Sequence, residues 1–353
     1  MKNLLPLFLL LFANITIAQT TAIPDANFEQ ALINLGLDNG SPDGVTFTAN
    51  IDTVTHLDVS NNMIFDLTGI EAFTALINLN CSYNLLSNLS LTQNTALTNL
   101  ICLSNGITNL DITQNVSLTY LDCAFNLFLS LDVSQNTGLE VLACGNPNLN
   151  SLNVSQNTNL TTLSFSGSQI TNIDLTQNTS LIELYSMDNQ LINLDISQNT
   201  ALNKLGCYGN QLTCLNLKNG NNINFTYFSA NNNPNLTCIE VDDVAYSTTN
   251  WTNIDPASSF STNCGFFGCS TVSINDLERP FNLVLYPNPV SHQLSIDTEL
   301  KLSKITIIDI TGKIIMTTKG NTNTINVADL SDGIYFIQLI TEERTLTKKF
   351  VKQ

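Results

Sequence analysis

Positive charge is almost missing from most of this sequence. Between Gln19 and Thr262 the only basic residues are Lys204 and Lys218, with no arginine, and twenty acidic residues against those two leave a net of −18. Such a surface cannot clasp a phosphate backbone or lie against an anionic membrane, because both need a cationic field. Nucleic acid is therefore excluded as a partner, and the remaining candidates are neutral, cationic or bridged by metal ions. Catalytic signatures are missing too. The chain holds two histidines, His56 and His292, and none of the patterns HExxH, GxSxG, P-loop or GxGxxG. Serine and threonine abound as repeat-column residues, without a base beside them.

Long apolar runs are also scarce, and the one present opens the chain. Lys2 precedes an apolar stretch from Leu4 to Phe12, followed by small or polar residues ending Thr16-Ile17-Ala18. A charged start, a short apolar centre and a small-residue exit make a secretory signal peptide, residues 1–18, cleaved after Ala18. The run falls short of the ~20 residues a spanning helix needs, and nothing later supplies one. The expected mature protein is exported and soluble. Its length exceeds one ordinary compact core, so two modules or a repeat array are expected.

Internal repetition decides between these. From Thr74 to Gly220 the chain reads as seven gapless units of 21 residues, such as TALTNLICLSNGITNLDITQN (95–115) and TSLIELYSMDNQLINLDISQN (179–199). Looser units flank them around HLDVSNNMIFDLTGI and YFSANNNPNLTCIEVDD. Each unit contains LxxLxLxxN twice, once per half, and this closely resembles bacterial leucine-rich repeats of the nested 21-residue type. The implied solenoid covers roughly residues 51–243.

The physics of the pattern agrees. Two apolar residues flanking an outward one mark a short strand, and identical strands in successive coils stack ~4.8 Å apart into a parallel sheet. One coil cannot bury its leucines, but each covers the next. Asparagines such as Asn84, Asn105, Asn126, Asn189 and Asn210 are expected to bond turn backbone in adjacent coils. Solenoid ends expose core, so residues 19–50 form an N-terminal cap in which Pro24-Asp25 starts a helix with Phe28, Ala31, Leu32 and Leu35 on one face. The DNGSPDG stretch (38–44) lacks the ligand run of an EF-hand loop and reads as a plain turn. Residues 244–264 form the other cap.

Cysteines divide by column. Cys81, Cys102, Cys123, Cys144 and Cys207 share the inward offset that Phe165 and Ser186 fill elsewhere, so they act as small core hydrophobes; a metal ladder would need converging CxxC pairs, which are absent. Cys214, Cys238, Cys264 and Cys269 lie outside that column, in an exported chain, and are disulfide candidates. Cys238 with Cys264 is favoured, because it fastens the capping segment over the last coil, with Cys214 the competing partner.

Two surface features carry the functional question. Asp111, Asp132, Asp174 and Asp195 recur at one outward offset, interrupted by Asn153. Paired acids can perform acid/base chemistry or hold calcium, yet capping of backbone amides is the preferred reading, with no metal and no cofactor expected. The half-repeats ending SQN or TQN are monotonous, whereas the outward offsets of the first halves vary: Tyr83, Tyr120, Asp122, Phe125, Tyr185, Met187 and Tyr208 stand there, with Ile101, Leu103, Glu183 and Lys204. Solenoids commonly bind through such a strand face, and exposed aromatics suit sugars or protein partners. A surface binding or adhesion protein without catalysis is expected, engaging an unknown extracellular protein or polysaccharide. The alternative is an enzyme or enzyme inhibitor acting on extracellular polymers through the acidic surface.

Beyond Cys264 the repeat stops. Residues 265–280 read as a linker, and 281–353 show alternating β-branched residues with turns at Thr311-Gly312 and Asp332-Gly333, as in a small Ig-like β-sandwich. Tyr286-Pro287-Asn288-Pro289, Gly312-Lys313, Gly333 and a basic end, Lys348, Lys349 and Lys352, resemble the type A sorting domain of the Bacteroidetes type IX secretion system. The resemblance implies passage through that machinery, tail removal, and release or attachment at the outer surface. The expected fold is thus mainly β: a solenoid with a short capping helix, then a β-sandwich.

Overall fold

A computed structural model describes residues 19–264, 284–298, 302–309, 313–319, 322–340 and 345–353. The expected signal peptide (1–18) and linker (265–280), with Cys269 and Gly312, lie outside the described residues. Those described fall into two compact units, the first ending within the stretch 265–283.

In the first unit, the three-residue strands of the first half-repeats stack in parallel, from His56–Asp58 to Tyr227–Ser229, into a sheet of nine. Their central leucines, replaced by Phe228 in the last strand, face inward and are buried, while the flanking residues face out as the period of two requires, except that Gly206 and Ser229 at the C-terminal end are covered. The second half-repeats are less regular. Leu89–Ser90 pairs with Leu110–Asp111, and a separate four-stranded sheet runs from Asn193–Asp195 to Ser259–Ser261. Between them, residues 131–133, 152–154 and 173–175 bury the same apolar columns without strand pairing. There packing, not a strand ladder, holds the second halves, while the first halves of the same coils stay paired in the long sheet. Near one of them, a Cβ on Gly145 would collide with the Ser166 carbonyl, so only glycine fits where coils approach this closely.

Two asparagine columns tie coil to coil. Asn84 Oδ1 accepts from the Asn62 and Ile64 N–H groups, while its Nδ2 donates to Val59 O and Cys81 O. Asn126, Asn189 and Asn210 repeat the arrangement, satisfying turn groups that water cannot reach. At the repeat end, Asn94, Asn115, Asn136, Asn157, Asn178 and Asn199 form a second buried column, each donating to two carbonyls of the preceding coil.

The five column cysteines are buried and unbridged. Burial pushes the thiols of Cys81, Cys144 and Cys207 up to about 12, and those of Cys102 and Cys123 upward as well, with the Asp122 charge adding to the rise at Cys102, Cys123 and Cys144. Thiolate is the reactive species, so these groups are inert while the coils are stacked. Iodoacetamide at pH 8, read by peptide mass spectrometry, should leave all five unmodified in the native protein and label all five in guanidinium chloride. Labelling of any one under native conditions would show that its coil opens.

Asp25 caps the helix Ala26–Asn34 by accepting from the Asn27 and Phe28 N–H groups, and its other oxygen accepts from Phe65 and Asp66 of the first coil. Phe28, Ala31 and Leu32 are buried on that coil, but Leu35 is half exposed, contrary to the expected face. The helix stops at Asn34 and Gly36 turns left-handed, which takes Leu35 off the apolar stripe. The 38–44 turn is anchored by buried Glu29, whose carboxylate accepts from the Asp43 and Gly44 N–H groups. At the other end Trp251 closes the core against Phe228, Phe225 and Phe260, and Cys238 is bridged to Cys264. Cys214 is disulfide-bonded as well.

The second unit is two antiparallel sheets around one core. Val284–Tyr286, Gln293–Asp297 and Thr324–Asn326 form one, and Ile314–Lys319, Lys304–Asp309, Gly333–Ile340 and Thr345–Lys352 the other. Leu294, Ile296 and Ile325 of the first meet Ile305, Ile307, Ile337 and Phe350 of the second, which makes a sandwich.

Candidate functional site

The candidate residues do not form a single row. Tyr120, Asp122, Tyr185, Met187 and Tyr208 lie on the long sheet or directly beyond its strands. Tyr83 and Phe125 do not: both sit in the following turn with φ of 54° and 53°, which swings them onto the flank of the solenoid. Counting offsets missed this because a strand's end is set by backbone conformation, which spacing does not record.

On the sheet face the side chains gather towards the C-terminal coils. Lys204 Nζ lies 2.6 Å from Glu183 Oε1, and the Tyr185 hydroxyl donates to Glu183 Oε2 at 3.0 Å. The Lys204 ammonium beside Glu183 holds that carboxyl below its usual range, and the same hydrogen bond raises Lys204. Desolvation pushes Tyr185 upward, helped by Glu183. Tyr227, in the neighbouring coil but one, brings its ring to 6.3 Å from Tyr185. Gly206 lies between them; a Cβ there would press on Met187 Sδ and the Tyr227 ring, so glycine leaves the two rings a shared floor. Tyr227 escaped the sequence reading because extra residues after Gly220 break the 21-residue register; the cue was the TYF triplet that restarts it.

A second group centres on Tyr120 and Asp122. Burial against the sheet raises both, Asp122 despite accepting the Ala124 N–H, and the Asp122 charge adds to the rise at Tyr120. Between the two groups stand Val141, Ala143, Thr162 and Ser164, all short. The face is two polar aromatic stations separated by a shallow stretch of two strands, ~10 Å wide at the usual strand spacing.

The aspartate column is built differently. Asp111, Asp132, Asp174 and Asp195 each accept the backbone N–H of the residue two positions on. Asn153 makes the same bond to Ser155, so the turn needs an acceptor and not a charge. Those turn bonds, from Thr113 and Ser134, lower Asp111 and Asp132. Among the described residues no three His, Cys, Asp or Glu side chains converge as a metal site.

In the sandwich, the YPNP segment grips the last strand. Asn288 Oδ1 accepts the Val351 N–H at 2.9 Å, Val290 N donates to Val351 O, and Gln353 N donates back to Val290 O. Phe350 is buried under Tyr335, and Gly333 pairs with Lys352. Lys348 and Lys349 are exposed, but the Lys352 side chain is only 7% exposed and reaches Asp332, so it is part of the fold and not of the exposed basic end. The family model for the secretion system C-terminal sorting domain matches residues 284–353. This unit is that sorting domain. A protein bearing the sorting domain is secreted or held at the outer surface by the type IX route of Gram-negative cells, and its machinery is one partner of this chain. Among the described residues no helix is long and apolar enough to cross a membrane.

The solenoid has solved relatives in Listeria monocytogenes. An internalin, InlF, is similar at 22% identity and TM-score 0.51, over 68% of this chain and 77% of that one, and shares the leucine-rich-repeat fold. The functional domain of InlJ, which includes a cysteine ladder, is similar at 21% identity and TM-score 0.44, over 95% and 99%. No curated protein matches the sequence.

Proposed function

We propose that the chain is a non-catalytic surface binding protein whose long sheet face engages an extracellular protein or polysaccharide once the sorting domain has delivered it. The observation that carries this reading is the station formed by Tyr185, Tyr227 and Met187 around Gly206, with the Glu183–Lys204 pair at its side. Two tilted rings over a glycine floor offer an apolar platform, and the adjoining ion pair offers both a donor and an acceptor to hydroxyls or backbone amides. Turn-capping by the aspartates favours a structural role for that column over acid/base chemistry.

A glycan and protein array probed with the secreted chain tests it. Binding is expected to fall at least tenfold with Tyr185→Ala and Tyr227→Ala together. Polymer hydrolysis that disappears with Asp111→Asn or Asp132→Asn would replace this reading with the enzymatic one.

A further inference from the structure

The flank of the solenoid carries a second surface of different chemistry. In the turns that follow the long-sheet strands, Tyr83 and Phe125 are 59% and 69% exposed, and Leu129, further along the same turn, is 66% exposed. Bulky L-residues rarely take the left-handed conformation that both aromatics adopt, at φ of 54° and 53°. Other coils put Asn61, Ser104, Gly167, Asp188, Gly209 or Asn232 at this turn with positive φ, all small or short polar residues. Two coils thus hold an exposed ring against backbone preference, with no burial to reward it. An observed strain of this kind at the surface points to use.

Between the two rings the intervening coil is cut away. Ser104 and Gly106 stand where its neighbours have large side chains, leaving an open notch of about 440 Å³ lined by Leu85, Asn105, Gly106 and Phe125. Gly106 has no positive φ, and a Cβ there would meet only the Leu86 carbonyl, at 3.4 Å. The backbone accepts a side chain at this position, so glycine keeps the notch open without being required by the turn.

We propose that this flank docks a second protein through an apolar side chain seated in the Gly106 notch, presented by a segment that is also cationic. The charge of the module selects that occupant. No lysine or arginine stands between Lys2 and Lys204, while Asp58, Asp66, Glu71, Asp111, Asp122 and Asp132 belong to the coils around the notch. A second copy would bring like charge against like, and an anionic lipid surface would be repelled, whereas a basic segment is drawn in.

The test uses the full secreted chain and a fluorescein-labelled helical peptide with leucine and phenylalanine on one face and lysine on the other. The peptide is expected to bind, with affinity at least tenfold weaker for Gly106→Trp and Gly106→Leu. Phe125→Gly should weaken binding while raising the melting temperature, and Tyr185→Ala with Tyr227→Ala should leave affinity unchanged. Undiminished binding to both Gly106 variants, no binding at all, or equal binding of a peptide with glutamate for lysine would each overturn the proposal. So would a dimer in sedimentation equilibrium that Gly106→Trp dissolves, or Gly106-dependent binding to phosphatidylglycerol vesicles.

Discussion

Trp251→Ala is expected to lower the stability of the solenoid by ~3–5 kcal/mol, the range for truncating a large buried aromatic. Trp251 is 4% exposed, stacks on Phe228 at a centroid distance of 4.4 Å, and lies 5.2 Å from Phe225 and 5.9 Å from Phe260. Among the described residues no strand of the long sheet follows Tyr227–Ser229 to cover Phe228, so this one side chain replaces the neighbour that every interior strand has. In a solenoid each coil is held by its neighbours, so loss should begin at the C-terminal end and travel inward. Hydrogen exchange should accelerate first in Tyr227–Ser229 and Lys204–Gly206, and last in the coils near residue 100. The Cys238–Cys264 bridge spans 26 residues and keeps the cap tethered, which limits the drop. Adding Cys264→Ser should therefore bring a further loss of ~3 kcal/mol by loop-closure entropy. Trp251→Phe should recover more than half of the stability. A Trp251→Ala chain that melts within one degree of the parent would show that the cap does not hold the last coils.

How much of this was legible in the sequence depends on whether a column tolerates variation. Leucine and cysteine offsets were readable because only an inward position keeps an apolar residue in almost every coil, buried Ser186 being the exception in the cysteine column. The Asn94-to-Asn199 column looked like part of a monotonous polar surface, since its neighbours are serine, threonine and glutamine. Its invariance was the cue: a solvent position drifts, as Thr113 and Ser134 do, while a buried amide with two carbonyl partners cannot. The sheet-face station was half visible. Tyr185, Met187 and Lys204 fell on the expected offsets, but Tyr227 lay beyond the broken register and Gly206 carries no side chain to notice. Tyr83 and Phe125 were found as exposed aromatics and assigned to the wrong surface. In the sorting domain, Lys348 and Lys349 are exposed as a basic signal would be, whereas the inward turn of Lys352 toward Asp332 needs a partner 20 positions away in sequence.

The two asparagine columns should respond unequally to truncation, although both are buried. In the turn column the Asn126 side chain meets three buried groups, its Nδ2 donating to Cys102 O and Cys123 O and its Oδ1 accepting the Ile107 N–H, besides the part-buried Ala124 O at 3.3 Å. At the repeat end, Asn136 donates to Ile112 O and Asn115 O, but no protein group donates to its Oδ1. Stranding a buried donor or acceptor costs ~1–3 kcal/mol, so Asn126→Ala, which strands three, is expected to cost ~5 kcal/mol. Asn136→Ala strands two and removes an acceptor that no protein donor satisfied, for ~3 kcal/mol. The two sites share burial, side chain and repeat environment, so the ordering follows from the number of bonds each loses. Urea denaturation of the two single variants measures it. Equal losses would mean that the Oδ1 of Asn136 finds a donor as good as the Ile107 amide, and a larger loss at Asn136 would reverse the account. Asp substitution sharpens the contrast, since a carboxylate keeps the acceptor and discards both donors. Asn126→Asp retains its bond from Ile107, whereas Asn136→Asp buries an anion facing two carbonyls with no donor at all, so there the ordering should invert.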